Sequence, residues 1–274
     1  MSQWIATLPM YNVTPCHAAW WRALLRDTLE AFARAGGPAD VALLDEPVGD
    51  LLALWCREDL LLSQTCGYPY RMLGLAGNVQ LIATPVFDAD GCDGAAYRSV
   101  LVVSARAFAN GATTLAACRG LRAAYNDEDS HSGMNAFRRA VAPYARDGRF
   151  FSASKRYGSH LNVLRALGEG TADCAAIDCV TLAYVRDALP ELLREVRVIG
   201  MTASAPGLPL IASRSLGEAL AASLYDSLEV ARTADVERAR ALRLRGFARL
   251  GHDDYALIEQ FSRDAAAMQY PVLA

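Results

Sequence analysis

The run Tyr125-Asn-Asp-Glu-Asp-Ser-His-Ser-Gly-Met-Asn-Ala-Phe-Arg-Arg139 gathers the densest set of groups able to do chemistry in the chain. A strand pattern ends there, a polar turn follows, and a helix is predicted to begin near Gly133. Ser130 and Ser132 are residue types that cap helix starts, where several backbone N–H groups have no intrahelical partner. Those N–H groups attract an anion, and two hydroxyls beside them add donors. An ordinary capped helix accounts for the same local pattern. The segment Tyr157-Gly-Ser-His-Leu-Asn-Val-Leu-Arg-Ala-Leu167 repeats the arrangement with His160 in the first turn. A neutral imidazole offers one N–H donor, and its protonation strengthens the bond to an anion. Taken alone, His160 reads more readily as a capped, half-buried histidine than as a ligand. If both helix starts face one point, they hold a small oxyanion. Asp127, Glu128 and Asp129, just upstream, oppose a negative ligand unless they turn outward or bond to protein donors, which argues against inorganic phosphate.

Other chemistries find less in the sequence. His160 with Asp127 or Asp178 is the acid/base pair that an enzyme would use. No Gly-x-Ser-x-Gly elbow, Gly-rich nucleotide loop or cofactor lysine context accompanies it, so no enzyme is expected. The four histidines, at 17, 131, 160 and 252, show no metal-ligand spacing with the cysteines, and neither metal nor cofactor is expected. Seven cysteines without a Cys-x-x-Cys exclude a complete disulfide framework within a monomer and lean towards a reducing compartment. Trp20 and Trp21 read as packing residues, and Arg138-Arg139 and Lys155-Arg156 as solvated basic pairs.

The elements that must position these groups follow from patterning. With 274 residues, 53% hydrophobic and 21% charged, the chain can bury one large or two smaller cores. A formal charge of -3 carries no footprint for nucleic acid, and no apolar run reaches the length of a membrane span. Met1 to Met10 shows no export signal, which fits either no export or a removed leader. Apolar runs at Trp4 to Leu8, Val41 to Leu44, Leu60 to Ser63, Val79 to Ala83, Ser99 to Ser104, Leu121 to Tyr125, Cys174 to Ile177, Val196 to Ile199 and Leu210 to Ser213 read as strands. Helical patterns fill the intervals, which predicts α/β architecture with mainly parallel sheets. Ala18 to Ala35 ends at Gly36-Gly37-Pro38, a physical stop. After Ser215 the chain reads as almost entirely helical, with patterns at Leu216 to Ala231, Ala234 to Gly246 and Asp253 to Met268. The turn-rich segments Asp88 to Gly94 and Thr202 to Pro209 read as crossings between lobes, with 1–96 and 204–274 in one lobe and 97–203 in the other.

An ordered set of short motifs then resembles one family. Pro9-Met-Tyr11, Gln64-Thr-Cys-Gly-Tyr-Pro69, Tyr97-Arg-Ser, Asn126-Asp with Ser130-His-Ser-Gly133, Gly158-Ser-His160 and Gly170-Thr-Ala-Asp-Cys-Ala-Ala-Ile-Asp178 span roughly residues 5–215. Their order and spacing resemble the phosphate/phosphonate-type solute-binding proteins of ABC importers, which share the type II periplasmic binding protein fold. The resemblance implies a two-lobed α/β fold with a ligand cleft between lobes, closing on a hinge. It implies an oxyanion held by Ser130, Ser132 and Gly133, with His160 and Tyr97 as further donors and Asn126 and His131 of the same loop also binding the ligand. Tyr11, Thr65 and Tyr68 would be the first lobe's contribution, and Asp178 would meet the ligand's distal, often amino, group. His131 stands where the better-known phosphonate binders carry a small hydroxyl residue. The implied partners are a small phosphonate, phosphate or phosphate ester and an ABC permease, with a monomer, a periplasmic site and no nucleic acid expected. A cytosolic sensor or carrier of the same ligand is the alternative.

Overall fold

The computed structural model describes residues 4–44 and 50–274, so Met1 to Gln3 of the N-terminal run lie outside the described residues. In chain order the elements begin with β1 (Trp4–Thr7), α1 (Pro15–Arg34), β2 (Val41–Leu43), α2 (Leu51–Trp55), β3 (Leu60–Gln64), α3 (Gly67–Met72) and β4 (Val79–Phe87). There follow β5 (Ala96–Tyr97), β6 (Ser99–Ser104), α4 (Ala105–Ala109), β7 (Arg122–Tyr125), a π turn (His131–Asn135) and α5 (Ala136–Val141). Next come β8 (Ala153–Arg156), α6 (His160–Gly168), β9 (Cys174–Asp178), α7 (Cys179–Ala188) and β10 (Val196–Met201). The chain ends with β11 (Ala205–Pro206), β12 (Leu210–Ser213), α8 (Glu218–Ala234), α9 (Val236–Ala241), β13 (Leu244–Ala248) and α10 (Ala256–Ala267).

Two compact α/β units result. The first contains the chain up to Asp88, Asp93–Ala95 and Pro206–Tyr255; the second contains Ala89–Cys92, Ala96–Ala205 and Ala256–Ala274. The first unit holds a six-stranded sheet in the order β13-β4-β12-β3-β1-β2, the second a five-stranded sheet in the order β10-β6-β9-β7-β8, and β5 and β11 form a two-stranded ladder. Every run read as a strand is one, yet the sheets are mixed rather than mainly parallel. Pairing is parallel where a helix carries the chain back over the sheet, as for β1 with β2 across α1 and β7 with β8 across α5. Strands β6 and β12, which follow passages from one unit to the other, run antiparallel to both neighbours.

Two expectations for the C-terminal part are corrected. The Arg- and Ala-rich run from Ala234 to Gly246 is not one helix: α9 ends at Ala241, Arg243 takes φ +50°, and Leu244–Ala248 pairs as β13 with the long strand β4. Pairing with the extra residues of β4 and burial of Leu244 and Phe247 override helix propensity. Residues 256–274, assigned from sequence to the first lobe, belong to the second unit. Ala265, Tyr270 and Leu273 enter the core formed by Val103, Phe137, Val141, Phe150 and Cys174. The terminal carbonyl of Ala274 accepts from the N–H groups of Phe150 and Phe151 at 2.8 and 3.1 Å, and Arg138 donates to the carbonyl of Pro271 at 2.5 Å.

Candidate functional site

In the second unit, β7 delivers the chain into the polar loop at Asn126, and the loop ends in an unusually wide helical turn. The N–H of Asn135 donates to the carbonyl of Ser130 at 3.1 Å, a five-residue step that defines the π turn His131–Asn135. Such turns are uncommon and recur at functional sites. Ser130 caps it: its Oγ accepts from the N–H of Gly133 at 3.1 Å. Ser132 Oγ lies 3.5 Å from Ser130 Oγ, and the carbonyl of Ser132 is fixed by the hydroxyl of Ser99 on β6 at 2.9 Å. The second helix start meets the first here. Ser159 caps α6 by accepting from the N–H of Asn162 at 3.2 Å, which places His160 at the first helical position with Nε2 at 3.0 Å from Ser132 Oγ.

Gly133 is required by this approach. A Cβ at that position would fall 1.9 Å from Asn126 Oδ1 and 3.0 Å from His160 Cε1. Asn126 Oδ1 and His160 Nδ1 are both buried and have no hydrogen-bond partner among the described residues. A buried polar atom left unpaired costs about 1–3 kcal/mol, so two of them beside capped helix starts mark a place where a ligand's polar groups are worth most. Burial lowers the His160 pKa to about 4, which leaves the imidazole neutral near pH 7. The acids upstream do not oppose an anion as the sequence suggested. Asp127 turns to Arg156, with Oδ2 accepting from Nη2 at 2.6 Å and from Nε at 3.1 Å, and Glu128 and Asp129 are exposed.

The structure brings together Asn126, Ser130, Ser132, Gly133 and His160, and gives other candidates different surroundings. His131 is buried, with Nδ1 beside Asn135 Nδ2 at 3.1 Å and its ring 5.2 Å from Phe261 and 6.1 Å from Tyr97. Burial lowers its pKa to about 3. Its place is therefore a packed interior one, continued by Asn135 to the carbonyl of Ile258 and by Arg138 to Ser262. Tyr97 is buried at the end of β5 against that histidine. Asp178 is a helix cap: Oδ1 accepts from the N–H groups of Val180 and Thr181 at 2.8 and 2.9 Å, which fixes the start of α7. The resemblance places this carboxylate at the ligand's distal group, whereas one of its oxygens serves the protein backbone.

Tyr11, Thr65 and Tyr68 lie in the first unit, near the carboxyl ends of the parallel pair β1 and β3. Tyr11 holds φ +64° and stacks edge-on to Phe87 at 5.3 Å. A bulky residue in the left-handed region is strained by roughly 1–2 kcal/mol. Thr65 is buried, its N–H donating to the carbonyl of Pro209 at 3.0 Å, and Tyr68 is half-buried in the first turn of α3. Gln64, the last residue of β3, has no role in the sequence reading. Gln64 is fully buried, and neither end of its amide has a hydrogen-bond partner among the described residues. A polar residue closing the apolar strand Leu60-Leu-Leu-Ser-Gln64 was the available signal. Ser99, the first residue of β6, stands in the Tyr97-Arg-Ser motif, but nothing local marks its hydroxyl for the Ser132 carbonyl.

Two mixed α/β units, with several passages of the chain between them and a polar helix-start cluster in the second, define the architecture of solute-binding proteins. A phosphonate-binding PhnD1 from Prochlorococcus marinus (MIT 9301), solved with methylphosphonate, has a TM-score of 0.76 and 16% identity over 96% of this chain and 98% of its own. A binding-protein component of an ABC phosphonate transporter from Pseudomonas aeruginosa (PA3383) has a TM-score of 0.75 and 15% identity over 98% of this chain and 88% of its own. XAC2383 from Xanthomonas citri, solved with ATP, has a TM-score of 0.68 and 15% identity over 98% of both chains. No curated protein matches the chain. Residues 58–255 match the family of phosphonate ABC transporter periplasmic substrate-binding proteins, and the chain belongs to that family.

Proposed function

We propose that this chain is a non-enzymatic binding component that takes up a small phosphonate or phosphate ester at the Ser130–Ser132–Gly133–His160 cluster and presents it to an ABC permease. The observation that carries the reading is the meeting of two capped helix starts at Ser132 and His160, with unpaired polar atoms on His160 and Asn126 beside them. The two helix dipoles contribute roughly 0.3–1 kcal/mol each towards an anion, and the hydroxyls supply charge-assisted hydrogen bonds of about 1.5–3 kcal/mol.

The same Ser–His contact is the geometry of an activated nucleophile, so catalysis has to be weighed. Two features argue against it. A catalytic imidazole is held by a third group on its other nitrogen, and His160 Nδ1 has no such partner among the described residues. A base with a pKa of about 4 also takes a proton poorly near neutral pH. Binding of a methylphosphonate is what the Prochlorococcus relative displays, and an aliphatic sulphonate binding protein from Escherichia coli, SsuA, shares the fold at a TM-score of 0.62. Ligand class is tested by thermal shift with methylphosphonate, 2-aminoethylphosphonate, phosphate and sulfate. A ligand at a hundred times its dissociation constant stabilises by about 2.7 kcal/mol. Stabilisation by the phosphonates above that by sulfate supports the reading, and stabilisation by none of the four removes it.

A further inference from the structure

The second unit holds a pair of cysteines outside the ligand cluster. Cys92 Sγ lies 3.5 Å from Cys179 Sγ; Cys92 is half-buried and Cys179 is buried. Cys92 closes Ala89–Cys92, four residues that belong to the second unit although their chain neighbours Asp88 and Asp93 belong to the first. Two contacts seat this segment along α7, one at its first residue and one in its last turn, and a turn closes the segment itself. Gly91, at φ +103°, brings its backbone so close that a Cβ there would lie 3.1 Å from Cys179 Cβ. The N–H of Cys92 closes a turn on the carbonyl of Ala89 at 2.9 Å, and Asp90 pairs with Arg186 of α7 at 3.2 Å. Cys179 is the first residue of α7 and is held there by the Asp178 cap. Since a disulfide bond is about 2.05 Å long, the sulfurs need to approach by roughly 1.5 Å, within reach of side-chain rotation.

We propose that Cys92 and Cys179 are a disulfide-forming site that covalently fastens the segment Ala89–Cys92 to α7 when a disulfide oxidant is present. The reaction is thiol–disulfide exchange. The Cys92 thiolate, reachable from solvent, attacks one sulfur of the oxidant's disulfide, breaking that bond and releasing one thiol. Cys179 then gives up its proton and attacks Cys92 Sγ, expelling the oxidant's second half as a thiol. Two electrons and two protons pass from the pair to the oxidant. The order of events follows from access: the hydrogen bond to Cys92 and burial both raise the Cys179 pKa, so Cys179 is the resolving thiol. Cys118 and Cys174 also share a hydrogen bond but are fully buried, where no oxidant reaches them.

The test equilibrates the full chain in glutathione buffers from reduced to oxidised, blocks free thiols under acid quench and maps peptides by mass spectrometry. A cross-linked peptide joining Cys92 to Cys179, with Cys118 and Cys174 still alkylated, is expected. The melting temperature of the wild type should then rise by several degrees on oxidation, and that rise should vanish in Cys179→Ser and in the more exposed Cys92→Ser. Recovery of Cys92 as a glutathione adduct with Cys179 still a free thiol overturns the proposal, as does oxidation of Cys118 and Cys174 in its place.

Discussion

Ser132 Oγ lies 3.0 Å from His160 Nε2, and the same imidazole keeps Nδ1 buried without a hydrogen-bond partner. That relationship couples two helix starts that are 28 residues apart in sequence. It also fixes what protonation does. With a pKa of about 4, His160 is neutral in the ligand-free protein near pH 7, and an anion at Ser132 favours the charged ring.

The pKa of His160 should therefore rise on binding a phosphonate, read directly from imidazole carbon shifts in an NMR titration. Stability has the matching sign. An unfolded histidine titrates near 6.5, so as pH falls from about 6.5 towards 4 the unfolded state takes up a proton that buried His160 refuses, and folding stability falls. His131, at about 3, adds to the loss over the same range and extends it to lower pH. His160→Asn should reduce the slope of the melting temperature between about pH 6.5 and 4 while leaving the share due to His131, and saturating ligand should reduce it likewise in the wild type. An unchanged slope in His160→Asn would contradict the assignment.

Gly133→Ala tests the close approach of the three segments. The new Cβ would fall 1.9 Å from Asn126 Oδ1, so the Asn126 amide must move away from the cluster. Calorimetry should show ligand affinity falling by roughly tenfold or more, the loss of one hydrogen bond to a charged group. Circular dichroism should show the folded protein retained. Unchanged affinity would place the ligand elsewhere.

Asp178 separates capping from ligand recognition. Asp178→Ala removes the acceptor for the N–H groups of Val180 and Thr181 and should cost about 1 kcal/mol of stability, while Asp178→Asn keeps an acceptor oxygen and most of that stability. Denaturant unfolding measures both. If Asp178→Asn selectively weakens 2-aminoethylphosphonate against methylphosphonate, the carboxylate also serves the ligand.

Gln64→Met replaces a buried amide that has no partner at either end with an apolar chain of similar length. Removing an unsatisfied buried polar group should raise the stability of the ligand-free protein by about 1 kcal/mol or more. A fall in the melting temperature would show that the amide is satisfied in solution.

What could be read from the sequence follows from how local each feature is. Strands such as Val100 to Val103 and the stop of α1 at Gly36-Gly37-Pro38 are written in a few adjacent residues, and the Ser130 and Ser159 caps are too. The edge strand Ala153–Arg156 is exposed throughout, so no apolar alternation marks it in the sequence. The strand Leu244–Ala248 exists only because β4 is long enough to pair with it. The same limit governs the site. Ser130, Ser132, Gly133 and His160 announce themselves by type and position. The inward turn of His131 to Asn135, the capping by Asp178 and the docking of α10 on the second unit depend on contacts distant in sequence.

In the proposed function, Ser132 and His160 together bind a phosphonate-type anion. Isothermal titration calorimetry of methylphosphonate against the wild type and Ser132→Ala, at constant salt and pH 7, tests it most directly. One ligand per chain is expected for the wild type, with affinity reduced roughly ten- to hundredfold in Ser132→Ala, the value of one charge-assisted hydrogen bond. Equal affinities for the two proteins, or no binding heat with either, would contradict that role for Ser132 and His160.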